Sequence, residues 1–234
     1  MARIPRLNIP DIPQHVVQRG NNRNNCFYTH QDRKIFLSKL KEYSEKFNVA
    51  IHSYILMSNH VHLLLSPKEG EAVSYLLQSL GRYYVRYFNK THGRSGTLWE
   101  GRFKSTLVDS ENYFLTVSRY IELNPVRANM VKHPAEYPWS SYQSNANGKL
   151  NKIITHHSCY LSLGKTDIER QKTYKKLCSE NISVHTLQEI RDALNKTWIL
   201  GNDRFKKIIE SQTDIPLLPL KRGGDRKSDN YWME

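Results

Sequence analysis

The two histidines of His60-Val61-His62 have the spacing in this chain that most directly suggests chemistry. They lie in an apolar run that continues through Leu63, Leu64 and Leu65. Side chains alternate between the faces of a strand, so a strand here would project both histidines from one face. Two buried imidazoles need a shared partner, which a metal ion, a phosphate or a water-filled cleft would provide. A solvated sheet face, with both rings partly exposed, is the other interpretation.

A second pair of polar residues, Tyr120 and Asn124, lies just before Pro125. On a helix, residues four apart share a face, so these two side chains would lie together. Taken alone, a helical tyrosine is typical of a core or its rim, and an asparagine before proline is typical of a helix C-terminal cap. This segment therefore indicates a functional site only when it is combined with other motifs.

The elements that would hold these residues follow an α+β pattern. Only Ser58 and Asn59 separate two apolar strands, which predicts a tight hairpin. The element order predicts an antiparallel sheet, with the helices packed on one face and the other face free. Strands are predicted at residues 14–20, 49–57 and 60–66, and in the segment that ends at 108. Helices are predicted from 29–32 onward, over 71–90, and from Asp109 or Ser110 to before Pro125.

A polar stretch rich in Asn and Ser, residues 143–152, suggests a boundary. It divides the chain into a larger unit at 1–149 and a small helical accessory region at 150–234. Short helices are predicted in that region at 166–179, 184–196 and 202–212. Residues 221–227 are predicted to be part of a basic, mobile tail.

The composition indicates a polyanionic partner. The 234 residues carry a formal net charge of +13, which favours nucleic acid over a membrane surface. The N-terminal residues form no apolar signal core, and no apolar run is long enough for a membrane span. The three cysteines are too far apart for a zinc knuckle or a disulfide framework. We therefore expect a cytoplasmic, nucleoid-associated protein with no membrane partner.

Four ordered motifs together resemble the HUH superfamily of single-strand DNA nucleases, which is named for two histidines around a hydrophobic residue. More narrowly, they resemble the REP-associated branch of the IS200-like single-tyrosine transposases. The resemblance covers roughly residues 10–145 and implies a ferredoxin-like HUH core. Residues 150–234 resemble accessory regions of some members. The motifs lie at 57–64 (Met-Ser-Asn-His-Val-His-Leu-Leu), 98–105 (Leu-Trp-Glu-Gly-Arg-Phe-Lys-Ser), 119–128 (Arg-Tyr-Ile-Glu-Leu-Asn-Pro-Val-Arg-Ala) and 138–142 (Pro-Trp-Ser-Ser-Tyr).

This resemblance implies a role for each candidate residue. His60 and His62 match the metal-binding pair, and Tyr120 matches the nucleophile that attacks a DNA phosphate. Asn124 occupies the position of a further polar ligand, where some relatives have Gln. Tyr113, about two helical turns before Tyr120, is the rival nucleophile.

The chemistry of these residue types agrees with those roles. Two imidazoles and an amide oxygen would leave ligand positions open on Mg²⁺ or Mn²⁺, although imidazole also accepts Zn²⁺ or Ni²⁺. A phenol, with a pKa of about 10, is a weak nucleophile unless the phosphate is polarised and in line. The product would be a 5′-phosphotyrosine and a free 3′-hydroxyl.

Basic residues interleaved with aromatic rings are typical of proteins that bind single strands. The resemblance implies a target of short repeated palindromes folded as hairpins in single-stranded DNA, and leaves open whether the protein is a homodimer. The predicted DNA-binding residues are Arg19, Arg23, Arg82, Arg86, Arg102, Lys104, Arg119 and Arg127.

Two other functions remain open at this point. A non-catalytic protein with an RRM-like sheet could bind single-stranded DNA or RNA on exposed aromatic rings. A histidine-containing phosphoesterase would use water and form no covalent link to DNA.

Overall fold

The computed structural model of the protein describes residues 7–196 and 199–213. Its described strands form one antiparallel sheet in the order β2-β3-β1-β4, and helices pack against it, which confirms the predicted α+β class. The predicted basic tail at 221–227 lies outside the described residues. The strands are β1 (Gln14–Arg19), β2 (Val49–Leu56), β3 (His60–Pro67) and β4 (Lys104–Leu107).

Helices α1 (His30–Lys46) and α3 (Ser110–Glu122) begin where the sequence provides capping side chains. A capping box joins Thr29 and Asp32 at the start of α1, and the Asp109 carboxylate caps α3.

No helix in the described part of the chain is long and apolar enough to cross a membrane. The helices are α1 (His30–Lys46), α2 (Ala72–Thr91), α3 (Ser110–Glu122), α4 (Asn124–Arg127), α5 (Tyr142–Asn147), α6 (Ser158–Leu161), α7 (Asp167–Ser179), α8 (Val184–Lys196) and α9 (Asp203–Thr213).

Both faces of the sheet are covered, so the expectation that helices pack on one face is wrong. Val61 and Leu63 belong to a buried cluster with residues of α1 and α2. Leu64 and Ile55 project from the opposite face and belong to a second cluster with residues of α3 and α8. The physical reason is that β2 and β3 carry consecutive apolar residues rather than a strict alternation, so each of their faces needs a cover.

The C-terminal helices pack on the first 149 residues through a buried carboxylate, that of Glu122 at the end of α3. Its oxygens accept hydrogen bonds from the hydroxyls of Ser141 and Tyr174 and from the amide of Asn145. Burial raises the pKa of Glu122 to about 7, although these hydrogen bonds oppose the shift. Because Tyr174 lies on α7, this network joins the two proposed regions, and the boundary at residue 149 stays a prediction.

We expect Tyr174→Phe to lower the free energy of unfolding by about 1–3 kcal/mol, because the buried carboxylate of Glu122 loses a hydrogen-bond donor. The Tyr174 hydroxyl lies 2.8 Å from a Glu122 oxygen, and the residue is fully buried. Chemical denaturation followed by circular dichroism would measure the change. Tyr28→Phe is the matched control, since Tyr28 is 50% exposed. Equal stability of the two variants would show that the network does not hold the regions together.

Candidate active site

The histidine pair lies at the beginning of β3, in the middle of the sheet. His60 pairs with Arg19 and His62 pairs with Val17 on β1, and directly opposed residues share a face. The two imidazole centroids are 5.0 Å apart. Their face is the one that α3 covers, so His62 is only 6% exposed, while His60 is partly exposed. The site is therefore a half-covered cleft rather than an open sheet surface.

Each histidine has its Nδ1 atom occupied by a neighbouring side chain. His60 Nδ1 lies 2.6 Å from Asn59 Oδ1, and Asn59 in turn donates its amide N–H to the Arg23 carbonyl. An amide oxygen can only accept, so His60 donates from Nδ1 and keeps an unprotonated Nε2. His62 Nδ1 lies 2.9 Å from Nε2 of His15.

Burial disfavours the charged form of all three imidazoles. Burial, assisted by the charge of Arg19, lowers the pKa of His60 to about 4. Burial is the main cause that lowers the pKa of His62 well below its usual value, and the neighbouring His15 and His60 lower it further. Burial and the charge of Arg127 lower the pKa of His15 to about 3. Neutral imidazoles keep the lone pair that a metal ion requires.

Tyr120, in the last turn of α3, lies beside the histidines. Its ring centroid is 6.0 Å from that of His62 and 5.8 Å from that of His15. Tyr113 lies on α3 with its hydroxyl 3.4 Å from the carboxylate oxygens of Glu189 on α8. The structure thus brings Tyr120, rather than its rival, next to the histidine pair.

Arg127 covers the ring of Tyr120. Its guanidinium carbon lies 4.2 Å from the ring centroid, and its Nη2 donates to the Tyr120 carbonyl at 2.7 Å. Burial lowers the pKa of Arg127, and Tyr120 opposes that shift. Tyr120 itself is 7% exposed, and the Arg127 guanidinium lies against its ring as a cation–π contact.

Asn124 is the first residue of α4 and not part of α3, because α3 ends at Glu122. Its side-chain nitrogen is buried and has no hydrogen-bond partner among residues 7–196 and 199–213. The amide nitrogen is therefore not used for a structural contact in that part of the chain. Such an amide remains able to present its oxygen to a cation.

The donor set fits a divalent cation with open positions. His60 offers a bare Nε2, and His62 can offer the same atom. The described residues contain no group of three or more His, Cys, Asp or Glu side chains arranged to hold a metal. A metal held by His60 and His62 would therefore need further oxygen ligands, such as water and substrate oxygens, as mixed-ligand Mg²⁺ or Mn²⁺ sites have; Asn124 as one of them stays a prediction.

The predicted DNA-binding residues do not all lie together. Arg19 and Lys104 flank the histidines on the sheet, and Arg127 lies over Tyr120. Arg119 is 8% exposed and donates to the Glu180 carbonyl, a position that does not favour contact with DNA. Arg23 is exposed in the loop after β1.

The remaining three predicted DNA-binding residues, Arg82, Arg86 and Arg102, lie on the face of the sheet opposite the histidines. Arg82 and Arg102 line a cavity of about 430 Å³ between that face and α2, and Arg86 is exposed one turn after Arg82. The cavity therefore lies behind the histidine pair, since Val61 forms part of its wall.

His15 is the residue at this site that sequence reasoning missed. It lies in β1, fully buried, with its ring stacked at 5.1 Å on that of His62. The alternation of β1 predicts a strand but does not say which residue of β3 it meets. Only the register places His15 diagonally beside His62.

Comparisons with known proteins converge on one family. The family model described as IS200-like transposase matches residues 8–124, which include His60, His62, Tyr120 and Asn124. A curated Haemophilus influenzae protein, assigned as a REP-associated tyrosine transposase, is 24% identical over 125 residues, which are 49% of this chain and 71% of that protein.

One solved structure supports the likeness of fold. A REP-associated tyrosine transposase bound to a REP hairpin superposes with a TM-score of 0.52 at 20% identity, over 68% of this chain and 96% of its own. A crystal structure of a Deinococcus radiodurans protein assigned as a transposase gives a TM-score of 0.37 at 16% identity, over 52% of this chain and 96% of its own. The second similarity is too weak to support an argument.

Proposed function

This chain belongs to the family of IS200-like transposases, and from that premise we propose that it cleaves and rejoins single-stranded DNA at hairpin-forming repeats. The proposed reaction depends on Mg²⁺ or Mn²⁺ and passes through a 5′-phosphotyrosine on Tyr120. The observation that carries the proposal is the position of the Tyr120 ring, 6.0 Å from the ring of His62. A nucleophile and a phosphate-polarising site must be this close to act on one phosphate.

In the proposed reaction the Tyr120 oxygen attacks the phosphorus of a phosphodiester. A bond forms between that oxygen and phosphorus, and the bond from phosphorus to the 3′ oxygen breaks. The 3′ oxygen leaves as a hydroxyl, because it gains the proton that the phenol loses. Because one phosphate ester replaces another, the reverse attack by a 3′-hydroxyl rejoins DNA without ATP.

The residues around the tyrosine have separate proposed tasks. His60 and His62, with Asn124, would hold the cation. When bound, that cation acts as a Lewis acid on a nonbridging phosphate oxygen. Arg127, against the Tyr120 ring, favours the phenolate as it develops and binds the negative phosphate. Arg19, which pairs with His60 in the sheet, would bind a neighbouring phosphate of the DNA strand.

The proposed substrate is supported by the similarity to a transposase that was solved with a REP hairpin. The positive charge of this chain is in agreement. A homodimer and association with the nucleoid also remain proposals.

The test is incubation of the protein with radiolabelled single-stranded hairpin DNA from the flanks of its own gene, with Mg²⁺ or with EDTA. Denaturing gel electrophoresis should show a cleaved strand and a slower covalent protein–DNA band, both only with the metal. Cleavage without any covalent band would replace this proposal by a metal-dependent hydrolase.

The alternative of a non-catalytic RRM-like binding protein finds no support in the structure. Such a protein needs a sheet face with exposed aromatic rings on which bases stack. Here the two buried clusters cover both sheet faces.

We expect binding of the hairpin DNA to weaken steeply with salt, because basic side chains release counterions from phosphates. If the six exposed predicted DNA-binding residues each neutralise one phosphate of a single strand, the slope of log K against log salt is about −4. Fluorescence anisotropy at increasing NaCl measures it. A flat response, or equal affinity for blunt duplex DNA, would contradict the proposed binding mode.

A further inference from the structure

The most unusual feature of the candidate site is a third histidine, His15, which is fully buried and has no acidic hydrogen-bond partner among the described residues. His15 is 0% exposed, and its Nε2 lies 2.9 Å from Nδ1 of His62. A strand in the middle of a sheet, covered on both faces, normally has an apolar residue at such a position. A histidine there needs an explanation.

The direction of this hydrogen bond decides whether His62 can be a ligand. In a neutral imidazole one ring nitrogen donates and the other accepts. If His15 donated, Nδ1 of His62 would accept, and Nε2 of His62 would carry the proton and could not bind a cation. If His62 donates from Nδ1, its Nε2 has a free lone pair.

Either arrangement leaves Nδ1 of His15 without a partner among the described residues, as an acceptor in the first and as a donor in the second. In the second, His15 carries its own proton on Nδ1, which is buried and has no hydrogen-bond partner in the described part of the chain. An unpaired buried donor lowers stability, and an apolar side chain at this position would avoid that loss. His15 is therefore not explained by its contribution to stability.

His60 provides an independent parallel. The Asn59 oxygen forces His60 to donate from Nδ1, so its Nε2 is the free nitrogen. If His15 accepts the hydrogen bond, His62 also carries its proton on Nδ1. Both members of the pair would then offer Nε2, the atom on the ring edge farthest from their supporting side chains.

We infer that His15 is a positioning residue that accepts a hydrogen bond from His62 Nδ1 and so fixes the orientation and tautomer in which His62 binds a divalent cation. This inference rests on the proposed function, because it presupposes that His62 is a ligand. Supporting partners of this kind typically change metal affinity about 10- to 100-fold when they are lost.

The test compares two substitutions in the full-length protein without DNA. His15→Met fills the space with an apolar side chain and removes the acceptor. His15→Gln places an amide oxygen about as far from the backbone as the imidazole Nε2 and keeps an acceptor. Isothermal titration with Mn²⁺ should show a loss of about 10- to 100-fold in affinity for Met and a much smaller loss for Gln. Thermal melting by circular dichroism checks that both variants fold.

A measurement on the wild-type protein keeps the inference testable if a variant does not fold. Long-range ¹H–¹⁵N NMR spectra without metal, with the His62 signals assigned by their absence in His62→Gln, should show the proton on Nδ1. A proton on Nε2 of His62 would overturn the inference. Unchanged Mn²⁺ affinity in His15→Met, or equal losses in Met and Gln, would also overturn it.

The outcomes separate this inference from the proposed function. If the wild-type protein neither binds Mn²⁺ nor forms the covalent band on DNA, the proposed function fails. If the wild-type protein does both and the His15 variants bind Mn²⁺ as it does, only the role of His15 fails.

Discussion

Tyr120→Phe is expected to abolish strand cleavage and the covalent protein–DNA band together, with a loss on the order of 10⁴-fold or more in rate. The substitution removes the attacking oxygen and keeps the ring that packs beneath Arg127. Folding and hairpin binding should therefore be unchanged. Denaturing gels measure both products, and mass spectrometry of the digested wild-type adduct should find the nucleotide on the peptide that contains Tyr120.

Tyr113→Phe is the matched control for this experiment. Tyr113 lies on the same helix, and its hydroxyl lies near Glu189. This variant should keep cleavage and the adduct. An adduct that maps to Tyr113 would reassign the nucleophile within the same class of enzyme. Cleavage by Tyr120→Phe at the wild-type rate would show that a tyrosine at this position is not the nucleophile.

His60→Ala is expected to give the second largest loss of cleavage and to remove the response to added Mn²⁺. A metal that polarises a phosphate supplies several kcal/mol of transition-state stabilisation. Its loss corresponds to a decrease in rate on the order of 10²- to 10³-fold or more. His60 is a better choice than His62, because His60 is partly exposed and His62 is only 6% exposed and bonded to His15.

The control is His185→Ala, because the His185 side chain is 83% exposed on α8. That variant should cleave as the wild type does and should be inhibited by EDTA. Full cleavage by His60→Ala in saturating EDTA would refute the assignment of His60 to a metal site.

Sequence reasoning predicted the features that depend on short-range spacing. The separation of His60 and His62 by one residue places both rings on one face. The predicted hairpin also forms, although its link has three residues, 57–59, rather than the predicted two. The start of α1 near Thr29, and the cap of α3, which was predicted at Asp109 or Ser110 and lies at Asp109, depend on residues within one helical turn.

The features that sequence reasoning missed depend on contacts between distant parts of the chain. His15 reaches His62 across 47 positions, and Arg119 reaches the Glu180 carbonyl across 61. The pattern of a single strand or helix states which face is buried but not which element buries it. The same limit explains why α3 was expected on the same side of the sheet as α1 and α2.

The network around Glu122 bears on how the site behaves in dilute solution. His60, His62 and Tyr120 come from one chain, and Glu122, two residues after Tyr120, is tied to Ser141, Asn145 and Tyr174 of that same chain. Residues of one folded chain are held together at an effective concentration that the fold determines. This effective concentration does not depend on the protein concentration. Dilution therefore does not separate the tyrosine from its histidines.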